Sequence, residues 1–179
     1  MLKPCIKCLF LQMTPMAARQ APGQAPAVWL RSLRVYLGAM AVGNLVWETL
    51  HIPLYTIWRT GTAREQAVAV IHCALGDILI ALSTLVFALV LVGEDAWPAR
   101  RFWPVVAITI VCGAAYTIFS EWLNIVVRKA WAYSDLMPVI SLSGFHIGLS
   151  PLLQWIALPA IALAIIRNTT AKSIHRGLS

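Results

Sequence analysis

Long apolar stretches alternate with short polar ones along this chain. Four stretches rich in Leu, Ile, Val, Ala and Phe run over roughly 35–58, 67–92, 103–127 and 140–166. A hydrocarbon core of about 30 Å is crossed by about 20 helical residues. The pattern therefore predicts four membrane-crossing helices, an all-α integral membrane four-helix bundle. A polar leader (1–29) precedes the first span and a short tail (169–179) follows the last. Both are expected in the cytoplasm, the leader disordered.

The exceptions to the apolar pattern fall on narrow faces. Asn44, Glu48, His51 and Tyr55 follow an i, i+4, i+7, i+11 spacing, which draws one stripe down a helix. Thr117, Glu121, Asn124 and Arg128 repeat it on the third span. On the second span His72, Gly76 and Ser83 share an edge, with Cys73, Asp77 and Thr84 about 100° round from it. Lipid satisfies no polar group, so these stripes are expected to face one another inside the bundle.

Charge sets the orientation. Lys3, Lys7, Arg19, Arg31, Arg34, Arg100, Arg101, Arg167, Lys172 and Arg176 fall on one side of the spans, against Arg59, Arg64, Arg128 and Lys129 on the other. Ten of the 14 basic residues thus mark the side with both termini as cytoplasmic. The net charge of +7 is then a topology signal directed at anionic headgroups, with no nucleic acid implied. Counted from the outer helix ends at about 1.5 Å per residue, His51, His72 and Glu121 lie roughly 9–12 Å deep and Glu48 and Asp77 roughly 16 Å deep. His146 opens the fourth span from the same side. The ionisable residues within the spans therefore gather in the outer leaflet.

An internal echo supports a duplicated hairpin. ETLHI at 48–52 and EWLNI at 121–125 share Glu, Leu and Ile at an offset of 73, which also carries Trp58 onto Trp131. An offset of 74 carries His72 onto His146. Spans one and three run the same way, so the hairpins would be parallel repeats about an axis along the membrane normal. That relation favours a fourth helix starting near Val139 and kinked at Pro151. The competing expectation is a helix that begins at Ser150-Pro151 with His146 in a loop.

Glu48, His51, His72, Glu121 and His146 are metal-ligand types. Glu48 and His51 form a Glu-x-x-His motif, as in four-helix carboxylate metalloproteins. Its second copy here is Glu-x-x-Asn, so one divalent Zn, Mn or Fe ion fits better than a pair. A haem between His72 and His146 fits less well, because Glu121 would stand beside the iron. Without metal, Glu48, Glu121 and Asp77 supply acid–base groups to a pocket completed by Asn44, Tyr55, Asn124 and Gln154. The bland alternative is a hydrogen-bonded network that fixes helix pairing, with Asp77 a lone neutral acid. Trp58, Trp131 and Tyr133 are expected as outer interface anchors that could lid the pocket. Trp29, Trp97 and Trp103 are expected as the inner belt.

The remaining signals exclude more than they suggest. Cys5-x-x-Cys8 lies in the leader, where the expectation is a tail and not a redox or metal motif. Walker, Rossmann, nucleophile-elbow and HExxH patterns are missing from the sequence. WETLHIPLYTIW, HCALGDILIAL, FSEWLN, WAYSDLMP and GLSPLLQW together resemble a group of small bacterial four-span membrane proteins, over residues 30–166. The resemblance implies a bacterial inner-membrane location and supplies no substrate, cofactor or catalytic residue. Two functions stay open. One is metal-assisted or acid–base chemistry on a small lipid-soluble substrate; the other is a non-catalytic transporter, ligand-binding protein or subunit of a membrane complex.

Overall fold

The structure is a computed structural model and describes residues 24–142 and 144–176. The Cys5-x-x-Cys8 motif and most of the leader lie outside those residues. Helix α1 spans Gln24–His51, so the last leader residues are helical. Pro53 stops it. Proline lacks the N–H that the next helical bond needs and crowds the residue before it out of the α region. The chain passes through a 3₁₀ turn (Ile52–Leu54) and a single helical turn, α2 (Ile57–Thr60). Helix α3 (Ala63–Val92) starts at a capping box in which Thr62 and Glu65 bond each other's backbone N–H. Gln66 donates to the carbonyls of Trp58 and Gly61 and ties α2 to α3.

Gly93 ends α3, and Arg101 opens the next helix from a left-handed backbone (φ 56°). There Glu94 meets Arg101 at 2.9 Å and Arg100 at 3.3 Å. The Arg101 guanidinium holds the Glu94 carboxyl below its usual range. Helix α4 (Phe102–Glu121) widens into a π-helical turn (Trp122–Val127). The chain then folds back over the end of α1: Thr56 N–H donates to Ala132 and Ser134 N–H to Leu54, both at 2.9 Å. A hairpin follows, β1 (Val139–Leu142) against β2 (Phe145–Gly148), turning at Gly144 with φ +92°. Helix α5 runs Leu149–Arg176, so residues 169–176, expected as tail, continue the helix.

Two expectations are corrected here. The fourth helix begins at Leu149 and not near Val139. Ser150-Pro151 sits in its first turn, where the missing proline N–H has no helical partner to lose. Tyr55 lies beyond the end of α1 and not on its helical stripe, because Pro53 has already broken the helix.

Helix α1 packs against α3 and α5, and α4 closes the ring against the same two. Tyr36, Met40, Leu85, Leu89, Val105, Leu163 and Ile166 fill the end where the charged Arg100–Arg101 loop lies. Small residues let the helices close up: Gly43 faces Leu158, and a Cβ on Gly113 would run into the Trp155 indole. Trp97, expected in an interface belt, is instead buried edge-on against Trp29 in this core. Trp103 is exposed, as a belt residue would be.

The outer surfaces of the helices are apolar. Ile71, Leu75, Leu79, Phe87 and Val90 on α3, Val111 and Phe119 on α4, and Ile156 and Ile161 on α5 are all exposed. Ala63–Val92, Phe102–Val127 and Leu149–Thr170 are each long and apolar enough to cross a membrane. So much exposed hydrocarbon is stable in lipid and a liability in water, which marks a membrane protein.

Candidate functional site

The apolar core gives way to polar side chains toward the end where α1 stops and α5 begins. Their placement follows from helical spacing. Asn44, Glu48 and His51 descend the inner face of α1 and are all buried. Gln154, one turn into α5, points its amide at three acceptors: Asn44 Oδ1 at 2.9 Å, Glu48 Oε1 at 3.1 Å and Asp77 Oδ2 at 2.9 Å. Asp77 also lies within side-chain hydrogen-bonding reach of Glu48. It is therefore no lone acid; α1, α3 and α5 meet at these groups.

His51 extends the network. Its Nε2 lies 3.0 Å from Glu48 Oε2 and its Nδ1 lies 3.1 Å from Ser150 Oγ. Ser150 Oγ already accepts from the Trp47 indole N–H at 3.2 Å, which leaves its own proton free for His51 Nδ1. The donors then all run one way: Trp47 to Ser150, Ser150 to His51, His51 to Glu48. This assigns the proton of a neutral His51 to Nε2.

The third carboxyl hangs from α4. Glu121 is buried and accepts from the Tyr133 hydroxyl, which in turn accepts from Gly148 N–H at 2.7 Å. Burial, and the Glu121 carboxyl beside it, push the Tyr133 phenol up, so it remains a donor. Tyr133 also packs tilted against Tyr55 at 5.6 Å, and Tyr55 meets His51 edge-on at 5.4 Å. The fold-back loop and the β1–β2 hairpin thus act as a strap that holds Glu121 in place.

Between these arms lies a cavity of about 550 Å³, within the range of small-molecule sites. Glu48, His51, Tyr55, His72, Asp77, Glu121, Asn124 and Gln154 all line it. The stripes on α1, α3 and α4 do converge. Asn44 sits behind the wall and touches the cavity only through Gln154. The π-helical turn follows Glu121 directly, and Asn124 within it bonds back to Ser120 at 2.9 Å.

His146 is not part of the site. It lies exposed on β2 and faces Ser141 Oγ at 3.0 Å, because the chain here is a hairpin and not a helix. His72 lines the cavity from an exposed position. His51 is already engaged at both nitrogens. Among the described residues no three His, Cys, Asp or Glu side chains converge as metal ligands do. The donor set therefore does not fit the expected Zn, Mn or Fe centre, nor a haem held between His72 and His146.

Tyr133 and Ser150 are the residues that spacing alone did not assign to the site. Tyr133 comes from an aromatic-rich loop, WAYSDLMP, whose signal is composition without register. Ser150 reads as a helix cap, and only the return of α5 alongside α1 brings it to His51. Trp131, expected as an anchor or lid, lines the cavity, as does Trp155.

No family model, curated protein or solved structure matches this chain.

Proposed function

We propose that this chain is a multi-pass protein of the bacterial inner membrane, with both termini cytoplasmic. In this reading its outer-leaflet cavity takes a small lipid-soluble molecule and carries out acid–base chemistry on it. The observation that carries the reading is the cavity itself. It joins three carboxyl groups and His51 to a wall of Ile52, Val70, Ile80 and aromatic rings, and its volume suits a small ligand. Helix α1 is the fourth span of the bundle; Asn44, Glu48 and His51 lower its hydropathy because they face this cavity and its surroundings and not lipid. The likeness to small bacterial four-span membrane proteins, together with the ten-to-four split of basic residues, supports the location and orientation.

The duplicated-hairpin reading fits the same picture. A two-fold along the membrane normal would relate α1 to α4 and α3 to α5, the diagonal pairs of the ring. It would bring Glu48 and Glu121 to the cavity together. The halves depart where the first has the His72 turn of α3 and the second has the β1–β2 hairpin.

Glu48 and Asp77 share the Gln154 amide, and Glu121 stands opposite under Tyr133. A proton can pass between an occupant and any of these carboxyls, with the Ser150–His51 chain behind Glu48 setting its orientation. The other half of the bundle is packed with Met40, Leu85, Val105 and Leu163; among the described residues it buries the hydroxyls of Ser32, Tyr36, Thr84 and Thr109 but no carboxyl or imidazole, which argues against a simple conducting path. Binding without chemistry is the second reading, favoured by the carboxyl oxygens already having protein partners.

The test is to purify the protein directly from membranes into polymer discs, extract it with organic solvent and identify retained lipophiles by mass spectrometry. A species near one per chain in wild type, lost in a Glu48→Gln, Glu121→Gln double variant that still folds, supports the reading. Identical extracts from both would overturn it.

A further inference from the structure

The charge balance of the cavity, taken with the reading that it holds a lipid-soluble molecule, identifies the chemical class of the occupant. The Gln154 and Tyr133 donors bonded to its carboxyl groups are neutral. Glu48 and Asp77 receive the Gln154 amide, and Glu121 receives the Tyr133 hydroxyl. The His51 ring next to Glu48 has its other nitrogen satisfied by Ser150. The Gln154 and Tyr133 bonds satisfy oxygen lone pairs but bring no positive charge, and the single His51 ring can balance at most one of the three carboxyls. Among the described residues that line the cavity, Arg128 is the one guanidinium, and it sits at an exposed edge.

Anions surrounded by lipid and protein require a counter-charge, supplied by a proton or by a bound cation. A proton shared between Asp77 and Glu48, which lie within hydrogen-bonding reach, supplies part of it, and the walls suit a cation for the rest. Tyr55, Tyr116, Trp131 and Trp155 present aromatic rings, whose faces attract cations, and apolar side chains lie beside them for a hydrocarbon body. The site is also not fully packed. The buried indole N–H of Trp131, on the cavity wall, has no partner. A wall residue with an unused buried donor belongs to a space shaped for contents.

We propose that the occupant is a lipophilic cation, a protonated amine on an apolar body. Its ammonium group is held among Glu48, Asp77 and Glu121 and its hydrocarbon runs along the aromatic wall. A primary ammonium has three donors, and Glu48, Asp77 and Glu121 line the cavity from α1, α3 and α4, so the head group has a carboxyl acceptor on each of three walls.

Isothermal titration of the protein in lipid nanodiscs, with empty nanodiscs subtracted, tests this with decylamine, decanol and decanoate at neutral pH. The expected result is saturable decylamine binding near one per chain, at least tenfold tighter than decanol, with no saturable binding of decanoate. Glu121→Gln and Asp77→Asn should each weaken decylamine binding at least tenfold, whereas Glu94→Gln, outside the cavity, should not change it. Either cavity variant alone suffices if the other fails to fold. Decanol binding as tightly as decylamine, tighter binding of decanoate, or unchanged affinity in a folded cavity variant would each overturn the cation assignment and leave the pocket standing. No saturable binding of any of the three to protein with an intact melting transition would overturn the assignment, and only an extract without a retained lipophile would also remove the pocket.

Discussion

Gln154 holds three helices through one amide, and its hydrogens are too few for the acceptors around it. The NH₂ group has two N–H bonds. It faces Asn44 Oδ1, Glu48 Oε1 and Asp77 Oδ2, at 2.9, 3.1 and 2.9 Å. Gln154→Leu keeps the volume and removes both donors. Glu48 and Asp77 line the cavity and can turn to water or an occupant, so each loses about 0.6 kcal/mol, the mean for interhelical bonds in membranes. Asn44 is sealed, and leaving its oxygen bare costs about 1–3 kcal/mol. The sum is about 2–4 kcal/mol.

Asn44→Leu works in the opposite direction. It takes away one surplus acceptor and also the amide nitrogen that has no partner in the wild type. Gln154 then matches its two hydrogens to Glu48 and Asp77. The expected effect is between neutral and about 1 kcal/mol stabilising. At about 2–4 °C per kcal/mol for a chain of this size, Gln154→Leu should melt about 4–16 °C lower in detergent and Asn44→Leu no lower than wild type. Fluorescence-detected unfolding measures both, with Leu153→Ala on the exposed face of α5 as the control, expected within about 0.5 kcal/mol. Equal destabilisation by Gln154→Leu and Asn44→Leu would refute the donor-shortage argument, and no effect of either would remove the cluster as a helix clamp.

Other predictions follow from the same geometry. Tyr133→Phe removes the donor to Glu121 and the acceptor for Gly148 N–H, so it should cost about 1–3 kcal/mol and expose the β1–β2 hairpin to limited proteolysis. Because burial and Glu121 raise the Tyr133 phenol above its ordinary 10.0, the folded state holds that proton more tightly than the unfolded one. Its stabilisation should be complete below about pH 10 and fall as pH rises further. The melting curve of Tyr133→Phe should lack that part of the alkaline decline. Gly113→Val drives side-chain atoms into the Trp155 indole and should separate α4 from α5 at a cost of about 1–3 kcal/mol, read as a lower melting temperature. In a background with the native cysteines replaced by serine, Thr60→Cys and Ala132→Cys should react with an impermeant thiol reagent from the periplasmic side and Asp95→Cys from the cytoplasmic side. The reverse pattern would invert the topology.

The parts of the fold legible in the sequence were those governed by period. The second and third spans, 67–92 and 103–127, match α3 and α4 with its π turn, because long apolar runs have one solution in lipid. The stripes on α1 and α4 carry Glu48, His51, Glu121 and Asn124 to the cavity for the same reason. What escaped was set by contacts distant in sequence. Residues 139–148 are apolar enough to read as helix, yet they pair as a hairpin whose last strand supplies the Gly148 N–H to Tyr133. His146 went with them. The expected first span runs through Pro53 to residue 58, whereas the helix ends at His51 and the strap bonds to Leu54 and Thr56. Trp97 shows the limit of composition: the same residue type suits a belt or a core, and packing against Trp29 decides.

The central claim is that the space between Glu48, Asp77 and Glu121 is a binding cavity. Gly76 lines that space, and a Cβ there meets nothing within 4 Å. Gly76→Leu should therefore enter the cavity from an unhindered Cβ, while replacing a mid-helix glycine adds up to about 1 kcal/mol of helix stability. The measurement is the retained lipophile and the melting temperature of this variant beside wild type, both purified from membranes without detergent exchange. The account predicts that the lipophile is lost while the melting temperature of the ligand-free protein is held or raised. Retention of the same lipophile at the same stoichiometry in a stable Gly76→Leu protein would contradict it.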